Sequence, residues 1–338
     1  MGPSRRQFVK TTILAAAAVP LAAEKGRTVV SIDGPLVSTG DLKRQRNLFE
    51  GVFGLAPVAE QTLSAPEVER LFGVSGHEAE TVLLETPGTR IGVRLVQFDP
   101  TPELTIREGA AGYDSDALKV VDFVVDRWDE AVAVLREKGF DLVGPPAEYA
   151  LPREGRFTEG HVKGPDGVIC ALLRFHDSPR ERFVRVTDRL FSEILGVSAP
   201  VADLAAVTAF YRALGLGVVF RYEIETESFQ KLVGMGAKTR VTGTNFGLTE
   251  KAPMIGIIHY GLPEGSYRSL RDRSRLPHRG LVALRATISS VEEVAAACRA
   301  EGFEVLAPPA SVTLEPHGRV RALAVRAPHG VVHHFVQA

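Results

Sequence analysis

The sequence predicts an α+β protein built from four β-α-β-β-β modules. Two observations predict this fold class: a long internal repeat, and a strand pattern followed by a helix pattern at the start of each repeated unit. Residues 139–168 match residues 302–331 without a gap, at an offset of 163. The first stretch opens with Gly139-Phe140, and the second opens with Gly302-Phe303. A repeat of this length indicates a duplicated structural unit.

A second, weaker repeat divides each duplicated half into two modules. Residues 48–55 match residues 209–216, where both stretches end in a Gly-Leu pair. We therefore interpret the chain as a tandem duplication, with a first two-module domain at 28–178 and a second at 186–338.

Each module is predicted to begin with a strand and to continue with a helix. In the second module, residues 120–125 alternate between two faces, which is the period of a strand. Apolar residues between 128 and 135 then recur at helical spacing, and Gly139 ends the helix. Three more strands follow, and a Pro-Asp-Gly or Pro-His-Gly turn leads into the last strand. The first and third modules add short helices around 66–73 and 227–234.

The composition is that of an ordinary globular protein and excludes several function classes. The 338 residues include 45% hydrophobic and 24% charged residues, which excludes a disordered chain. Lys and Arg together number 40 against 41 for Asp and Glu, so no basic surplus supports nucleic-acid binding. Cys170 and Cys298 are the two cysteines, too few for a disulfide framework or a cysteine-rich zinc site.

The N-terminus predicts export. Ser4-Arg5-Arg6-Gln7-Phe8-Val9-Lys10 resembles the twin-arginine export motif, and an apolar stretch at 11–23 follows it. That stretch is shorter than the roughly 20 residues needed to span a bilayer, so we read 1–23 as a cleaved signal peptide. The twin-arginine export machinery is the expected partner of the precursor. The mature protein is expected in the periplasm or outside the cell, with no transmembrane segment.

The module order, together with the helix sequence at 203–216, resembles the vicinal oxygen chelate superfamily. This group includes glyoxalases, extradiol dioxygenases and bleomycin-resistance proteins. The resemblance covers essentially the whole mature chain, and the module-closing Pro-Asp-Gly turn at 165–167 agrees with it. It implies that the four modules pair into two cup-shaped mixed sheets, with metal ligands on the first and last strands of the modules.

The residues at those ligand positions do not form a metal-binding set. Most of them lack a donor atom, and a divalent ion needs three or four converging donors. We therefore expect neither a metal nor another cofactor. The first-strand positions are Gly34, Val120, Gly196 and Ala283, and the last-strand positions are Arg94, Ala171, Gly256 and His334.

Five residues are candidates for binding a ligand in the cups. Arg94 and Asp122 are expected to point into one cup of the first half, as a structural ion pair or as an anchor for an acidic ligand. Arg285 and His334 take the corresponding places in the second half. His259 lies on a predicted apolar strand, where a structural histidine is the competing interpretation.

Three functions remain open at this point. The first is an exported protein that binds a small molecule in a cup without a metal. The second is a metal-dependent lyase, isomerase or dioxygenase with atypical ligands. The third is a structural duplicate without catalysis.

Overall fold

A computed structural model of the protein describes residues 28–151, 153–236, 239–251, 253–263 and 265–337. The predicted twin-arginine signal at 1–23 lies outside these residues. The described residues form 16 strands in four modules, and the α+β class expected from the sequence is confirmed.

Modules 1 and 3 share the extra helix that the sequence predicts. Module 1 consists of β1 (Val29–Ser38), α1 (Leu42–Arg46) with a π-helical continuation (Asn47–Val52), β2 (Ala56–Leu63), α2 (Ala65–Phe72), β3 (Glu78–Glu85) and β4 (Gly92–Asp99). Module 3 consists of β9 (Phe191–Pro200), α4 (Leu204–Ala213), β10 (Gly217–Ile224), α5 (Glu227–Leu232), β11 (Val241–Gly247) and β12 (Met254–His259).

Modules 2 and 4 have one α-helix each. Module 2 consists of β5 (Val120–Val125), α3 (Trp128–Glu137), β6 (Ala147–Leu151), β7 (Gly155–Lys163) and β8 (Ile169–Phe175). Module 4 consists of β13 (Gly280–Ile288), α6 (Val291–Ala300), β14 (Glu304–Thr313), β15 (Arg319–Arg326) and β16 (Val332–Gln337).

Side-chain caps explain where several helices begin. The Asp203 carboxylate accepts hydrogen bonds from the backbone N–H groups of Ala205 and Ala206 at 2.9 and 3.1 Å. Ser64 and Glu67 form a capping box at the start of α2. These caps satisfy N–H groups that have no partner inside the helix, which stabilises each helix by about 1 kcal/mol.

The modules pair across the two sequence halves. The first sheet has the order β14-β15-β16-β13-β1-β4-β3-β2 and joins modules 1 and 4. The second sheet has the order β10-β11-β12-β9-β5-β8-β7-β6 and joins modules 2 and 3. The expectation that each cup arises within one half, 28–178 or 186–338, is therefore wrong for the sheets, although the pairing of modules into two mixed sheets is confirmed.

Two long connections carry the chain from one sheet to the other. Residues 100–119 lead from β4 to β5, and residues 260–279 lead from β12 back to β13. The connections run side by side: Arg279 N–H donates to Leu104 O at 2.9 Å, and Ser115 N–H donates to Arg268 O at 3.0 Å. The Arg273 guanidinium also donates to Glu108 O at 3.1 Å. These bonds hold the crossing segments together and so stabilise the cross-half pairing.

The largest apolar core joins one face of each sheet with the module helices. Phe53 stacks on Phe123 with ring centroids 4.0 Å apart, and Phe191 meets Phe53 edge-on at 5.1 Å. The opposite face of each sheet forms a cup with its own apolar cluster. Within the described residues, no helix is long and apolar enough to cross a membrane.

Candidate functional site

The cup of the second sheet contains a cavity, and we call it the open cup. Its floor is formed by the central strands β5 and β9, where the Ser198 hydroxyl donates to Asp122 Oδ2 at 3.4 Å. Ala171 on β8 is paired with Asp122, and Gly256 on β12 is paired with Ser198. Asp122, Ser198 and Gly256 line a cavity of about 110 Å³ above this floor.

The walls of the open cup are aromatic. Phe175 stacks on Phe183 with ring centroids 3.9 Å apart, and Phe157 meets Phe175 edge-on at 4.8 Å. The Tyr222 ring lies directly over Gly243, where an added Cβ would overlap the ring. Seven aromatic side chains line the cavity: Tyr149, Phe157, Phe175, Phe183, Phe220, Tyr222 and Phe229.

A hydrogen-bonded triad from β6 and β7 extends the polar floor. The Tyr149 hydroxyl donates to Glu159 Oε2 at 2.5 Å, and the His161 ring nitrogen Nε2 lies 2.8 Å from Glu159 Oε1. Phe157, Glu159 and His161 share one face of β7 because strand side chains alternate. Tyr149 and Glu159 line the cavity, so the triad presents a carboxylate to any molecule bound there.

The pKa values of the two carboxyl groups of the open cup are shifted in opposite directions. Burial, and then the charge of Glu159, raise the pKa of Asp122 well above its ordinary value. Burial also acts to raise the pKa of Glu159, but the hydrogen bonds from His161 and Tyr149 outweigh it and leave that pKa below its usual value. Burial therefore favours the neutral form of Asp122, while the two hydrogen bonds to Glu159 favour its ionised form. Such a pair can donate one proton and accept another.

A lysine completes the polar floor. Lys119 directly precedes β5, and its Nζ donates to the hydroxyl oxygen of Tyr260 at 2.7 Å. Only 4% of the residue is exposed, yet it lines the cavity. Burial lowers the pKa of Lys119 to about 8, with Glu159 acting against the shift and Arg107 adding to it.

The cup of the first sheet is occupied by its own side chains, and we call it the filled cup. Arg94 donates to Glu315 O at 2.8 Å and to the Thr81 hydroxyl at 3.3 Å. His334 lies opposite Arg285 on the neighbouring parallel strand. Its Nε2 lies 3.1 Å from Leu71 O, and the Phe72 ring lies 5.3 Å away.

Backbone carbonyls hold the Arg285 guanidinium. Arg285 Nη2 donates to Asp33 O at 2.8 Å and to Gly92 O at 2.9 Å, while its Nε donates to Pro35 O at 3.3 Å. Backbone oxygens thus accept the hydrogen bonds of Arg94 and Arg285 that an anionic ligand could otherwise accept.

The predicted pairing of Arg94 with Asp122 is wrong. Arg94 lies on β4 of the first sheet and Asp122 on β5 of the second. The repeat indicates which modules are similar, but the connection at 100–119 carries the chain to the other sheet between these two residues. Of the five predicted residues, Asp122 is in the open cup, whereas Arg94, Arg285 and His334 are together in the filled cup.

His259 lies at the end of β12 and does not line the cavity. Its Nδ1 accepts a hydrogen bond from the Gly261 N–H at 3.2 Å, and its ring lies 5.8 Å from that of Tyr267. These contacts are those of a structural histidine at the end of an inner strand of the second sheet.

The central positions of the open cup do not fit a metal of the kind the fold class implies. They supply one carboxyl group from Asp122 and one hydroxyl from Ser198, while Ala171 and Gly256 have no side-chain donor. Across the part of the chain that the structure describes, no group of three or more His, Cys, Asp or Glu residues could hold a metal ion. We therefore derive no chemistry through a metal.

Sequence reasoning missed Lys119, Tyr149, Glu159 and Tyr222. The repeat contains a signal for three of them. At the offset of 163, the residues of the fourth module that correspond to Lys119, Tyr149 and Glu159 are Val282, Val312 and Ala322. Polar residues that replace apolar ones on the same faces of a duplicated unit indicate a site in one copy.

Comparison with known proteins relates the fold to solved structures. No protein-family model matches the sequence, and no curated protein matches it. A point variant of glyoxalase I from Zea mays is 15% identical, with a TM-score of 0.61 over 91% of this chain and 92% of that chain. Glyoxalase I from Zea mays is 16% identical, with a TM-score of 0.58 over 91% of this chain and 92% of that chain.

A candidate dioxygenase from Bacillus subtilis is 11% identical, with a TM-score of 0.55 over 92% of this chain and 86% of that chain. At such low identities the likeness concerns the fold alone. Together with the four modules and the two mixed sheets, these similarities show that the chain has the fold of the vicinal oxygen chelate proteins.

Proposed function

We propose that the protein binds an aromatic small molecule in the open cup without the help of a metal. The observation that carries this proposal is a cavity with aromatic walls and a buried polar floor. Flat rings pack well against aromatic side chains. A few convergent polar groups at the base of an apolar pocket are typical of ligand sites.

The polar floor suggests what the ligand carries at its inner end. Burial favours the neutral form of Asp122, which can donate, and hydrogen bonds favour the ionised form of Glu159, which accepts. Ser198 and Asn245 add groups that can both donate and accept. A ring with one neutral polar substituent that both accepts and donates, such as a carboxamide, satisfies both kinds of partner, and a carbonyl satisfies the donor Asp122.

The two competing functions are less well supported. A metal-dependent enzyme would need donors that the open cup lacks at Ala171 and Gly256. A purely structural duplicate accounts for the filled cup, but it does not account for the ionisable groups that line the cavity of the open cup.

Ligand-observed NMR can test this proposal with a matched pair of probes. Benzamide and cyclohexanecarboxamide carry the same polar group but differ in the flatness of the ring. We expect saturation transfer from the protein to benzamide, and a clearly weaker transfer to cyclohexanecarboxamide. Equal transfer to both probes, or none to either, would contradict an aromatic site.

We also propose that the protein is exported by the twin-arginine route. The support is the motif Ser4-Arg5-Arg6-Gln7-Phe8-Val9-Lys10 and the apolar stretch after it. Changing Arg5 and Arg6 to Lys together keeps the charge and should leave the precursor in the cytoplasm. Cell fractionation of the native host would show where the precursor and the mature protein accumulate. Mature protein of the double variant in the cell envelope would refute the twin-arginine route.

A further inference from the structure

We infer that Lys119 is a nucleophilic amine that forms an imine with an aryl aldehyde or ketone bound in the open cup. This inference rests on the proposed function, because the carbonyl compound must first enter the aromatic cavity. It adds a covalent step and a chemical class of ligand to simple binding.

The fold does not require an amine at this position. The fourth module places Val282 at the corresponding position, where it is fully buried in the apolar cluster of the filled cup. Burying a polar or charged group without full compensation costs free energy. Packing alone therefore does not explain why the open cup has a lysine at this position.

The surroundings of Lys119 resemble those that activate an amine. Its Nζ donates to the Tyr260 hydroxyl at 2.7 Å, and among the described residues it forms no ion pair within 4.0 Å. Burial is the largest effect on the pKa of Lys119, and with the positive charge of Arg107 it outweighs the opposing charges of Glu159 and Asp122, so that this pKa is about 8. Desolvation and a nearby cation both favour the neutral, nucleophilic form of a lysine.

Asp122 lines the same cavity as Lys119, and its carboxyl group can serve the proton transfers of imine formation. The neutral amine attacks the carbonyl carbon, a C–N bond forms, and the carbonyl oxygen becomes a hydroxyl after the proton leaves nitrogen. The nitrogen lone pair then expels that hydroxyl, which takes the carboxyl proton of Asp122 and departs as water. The iminium returns its proton to Asp122. In sum, an amine and a carbonyl compound give an imine and one water, with no oxidant or reductant.

Reductive trapping on the intact wild-type protein tests the inference directly. The protein is incubated at about pH 7.5 with benzaldehyde and cyanoborohydride, and the benzylated lysines are mapped by peptide mass spectrometry. At this pH, a lysine with pKa 8 has roughly a hundredfold more free amine than an ordinary lysine. We expect Lys119 to be labelled at least about tenfold faster than the exposed Lys231.

Three controls connect the labelling to the cavity. Excess benzyl alcohol, which has the ring but no carbonyl, should slow the labelling of Lys119 and leave that of Lys231 unchanged. Asp122→Asn should slow the labelling of Lys119 without removing it, because the acid that releases water is lost. Lys119→Met should remove the fast site, and the mapping of the wild type stands even where this variant is unstable.

The outcomes separate the inference from the function on which it rests. Binding of benzyl alcohol by NMR with no preferential label on Lys119 overturns the imine and leaves the binding function intact. Absence of both binding and preferential label overturns both. Labelling of Lys119 at the same rate as Lys231, insensitive to benzyl alcohol, also overturns the inference.

Discussion

The two cups share one architecture but differ in what occupies them. The repeat relates their central positions one to one. At four of these positions the filled cup has the larger residue. The filled-cup residue is given first in each pair: Arg285 and Asp122, His334 and Ala171, Arg94 and Gly256, Leu36 and Ser198. The cavity of the open cup therefore goes together with smaller side chains at these four positions.

The two cups also differ in how their polar groups are satisfied. In the filled cup, Arg94 and Arg285 donate to backbone carbonyls. In the open cup, Asp122, Glu159 and Lys119 have partners but still line the cavity. Two equivalent pairs of modules, each drawn from both halves of the chain, thus differ in whether their buried polar groups are satisfied by the backbone or line a cavity.

The largest expected effect contrasts Arg285 with Asp122, its counterpart. Arg285→Met keeps much of the side-chain volume but leaves three backbone carbonyls without their donor, and we expect a loss of about 3 kcal/mol in the free energy of unfolding. Asp122→Asn should not cost more than about 1 kcal/mol at neutral pH, because its only described hydrogen bond is long and because the amide avoids the free-energy cost of burying the carboxyl group. Urea unfolding of both variants measures the contrast. Similar losses for both would show that the cups do not differ in this way.

The second prediction converts the open cup toward the filled one. Ala171→Leu introduces bulk where the filled cup has His334, on the face of β8 that carries the cavity-lining Leu173, so the longer side chain should extend toward the cavity. We expect benzamide binding to weaken at least about tenfold, equal to 1.4 kcal/mol, with a change in stability below about 1.5 kcal/mol.

The matched control for this change lies on the other face of the same strand. Cys170→Ala alters the core behind the cup and should destabilise the fold without affecting affinity for benzamide. Unchanged affinity in Ala171→Leu would show that the cavity is not the binding site.

The fold was more predictable than the site, and particular residues show why. The predicted last-strand positions Arg94, Ala171, Gly256 and His334 do occupy equivalent places, because strand alternation and the repeat define them. Module pairing was not predictable, since similarity between modules does not say which sheet the chain enters after residue 100. The partners of Arg94 depend on the backbone at Glu315, which no local pattern connects with β4.

The third prediction uses pH to separate the cups. Burial, and then Arg94 and Arg285, lower the pKa of His334 to about 3. The unfolded chain therefore binds more protons at this residue than the folded chain between pH 6.5 and 3, and stability falls as the pH falls through that window. At pH 5.5 the loss from this one residue is about 1.4 kcal/mol.

His334→Gln keeps a donor for Leu71 O but does not titrate. Both proteins should lose free energy of unfolding between pH 7.5 and 5.5. We expect the loss in His334→Gln to be about 1.4 kcal/mol smaller than the loss in the wild type. Urea unfolding at the two pH values gives the difference, and the exposed His176→Gln is the control. An unchanged difference would mean that His334 is not buried in its neutral form.

Asp122 in the open cup should respond in the opposite direction. Its folded pKa is raised, so the folded chain binds the extra proton and gains stability as the pH falls through that pKa. Asp122→Asn should therefore lose this gain and become less stable relative to the wild type on acidification. The same unfolding experiments measure it, and a shift of the same sign as for His334→Gln would contradict the assignment.

The smallest expected effect concerns the triad that is present only in the open cup. Its members Tyr149, Glu159 and His161 correspond to Val312, Ala322 and Ala324 in the filled cup, so the fold can form without them. Tyr149→Phe removes the donor to Glu159 Oε2 and should cost about 1 kcal/mol in stability. Because that hydrogen bond helps to hold the carboxylate ionised, the pKa of Glu159 should rise in this variant.

The control for Tyr149→Phe is Tyr222→Phe on the facing module. Both tyrosines line the cavity, but no described hydrogen bond joins the Tyr222 hydroxyl to another residue. Carbon-13 NMR titration of the Glu159 carboxyl should show a raised pKa in Tyr149→Phe and little change in Tyr222→Phe, with unfolding free energies following the same order. Equal shifts in both variants would mean that the general polarity of the cup, and not one hydrogen bond, keeps Glu159 ionised.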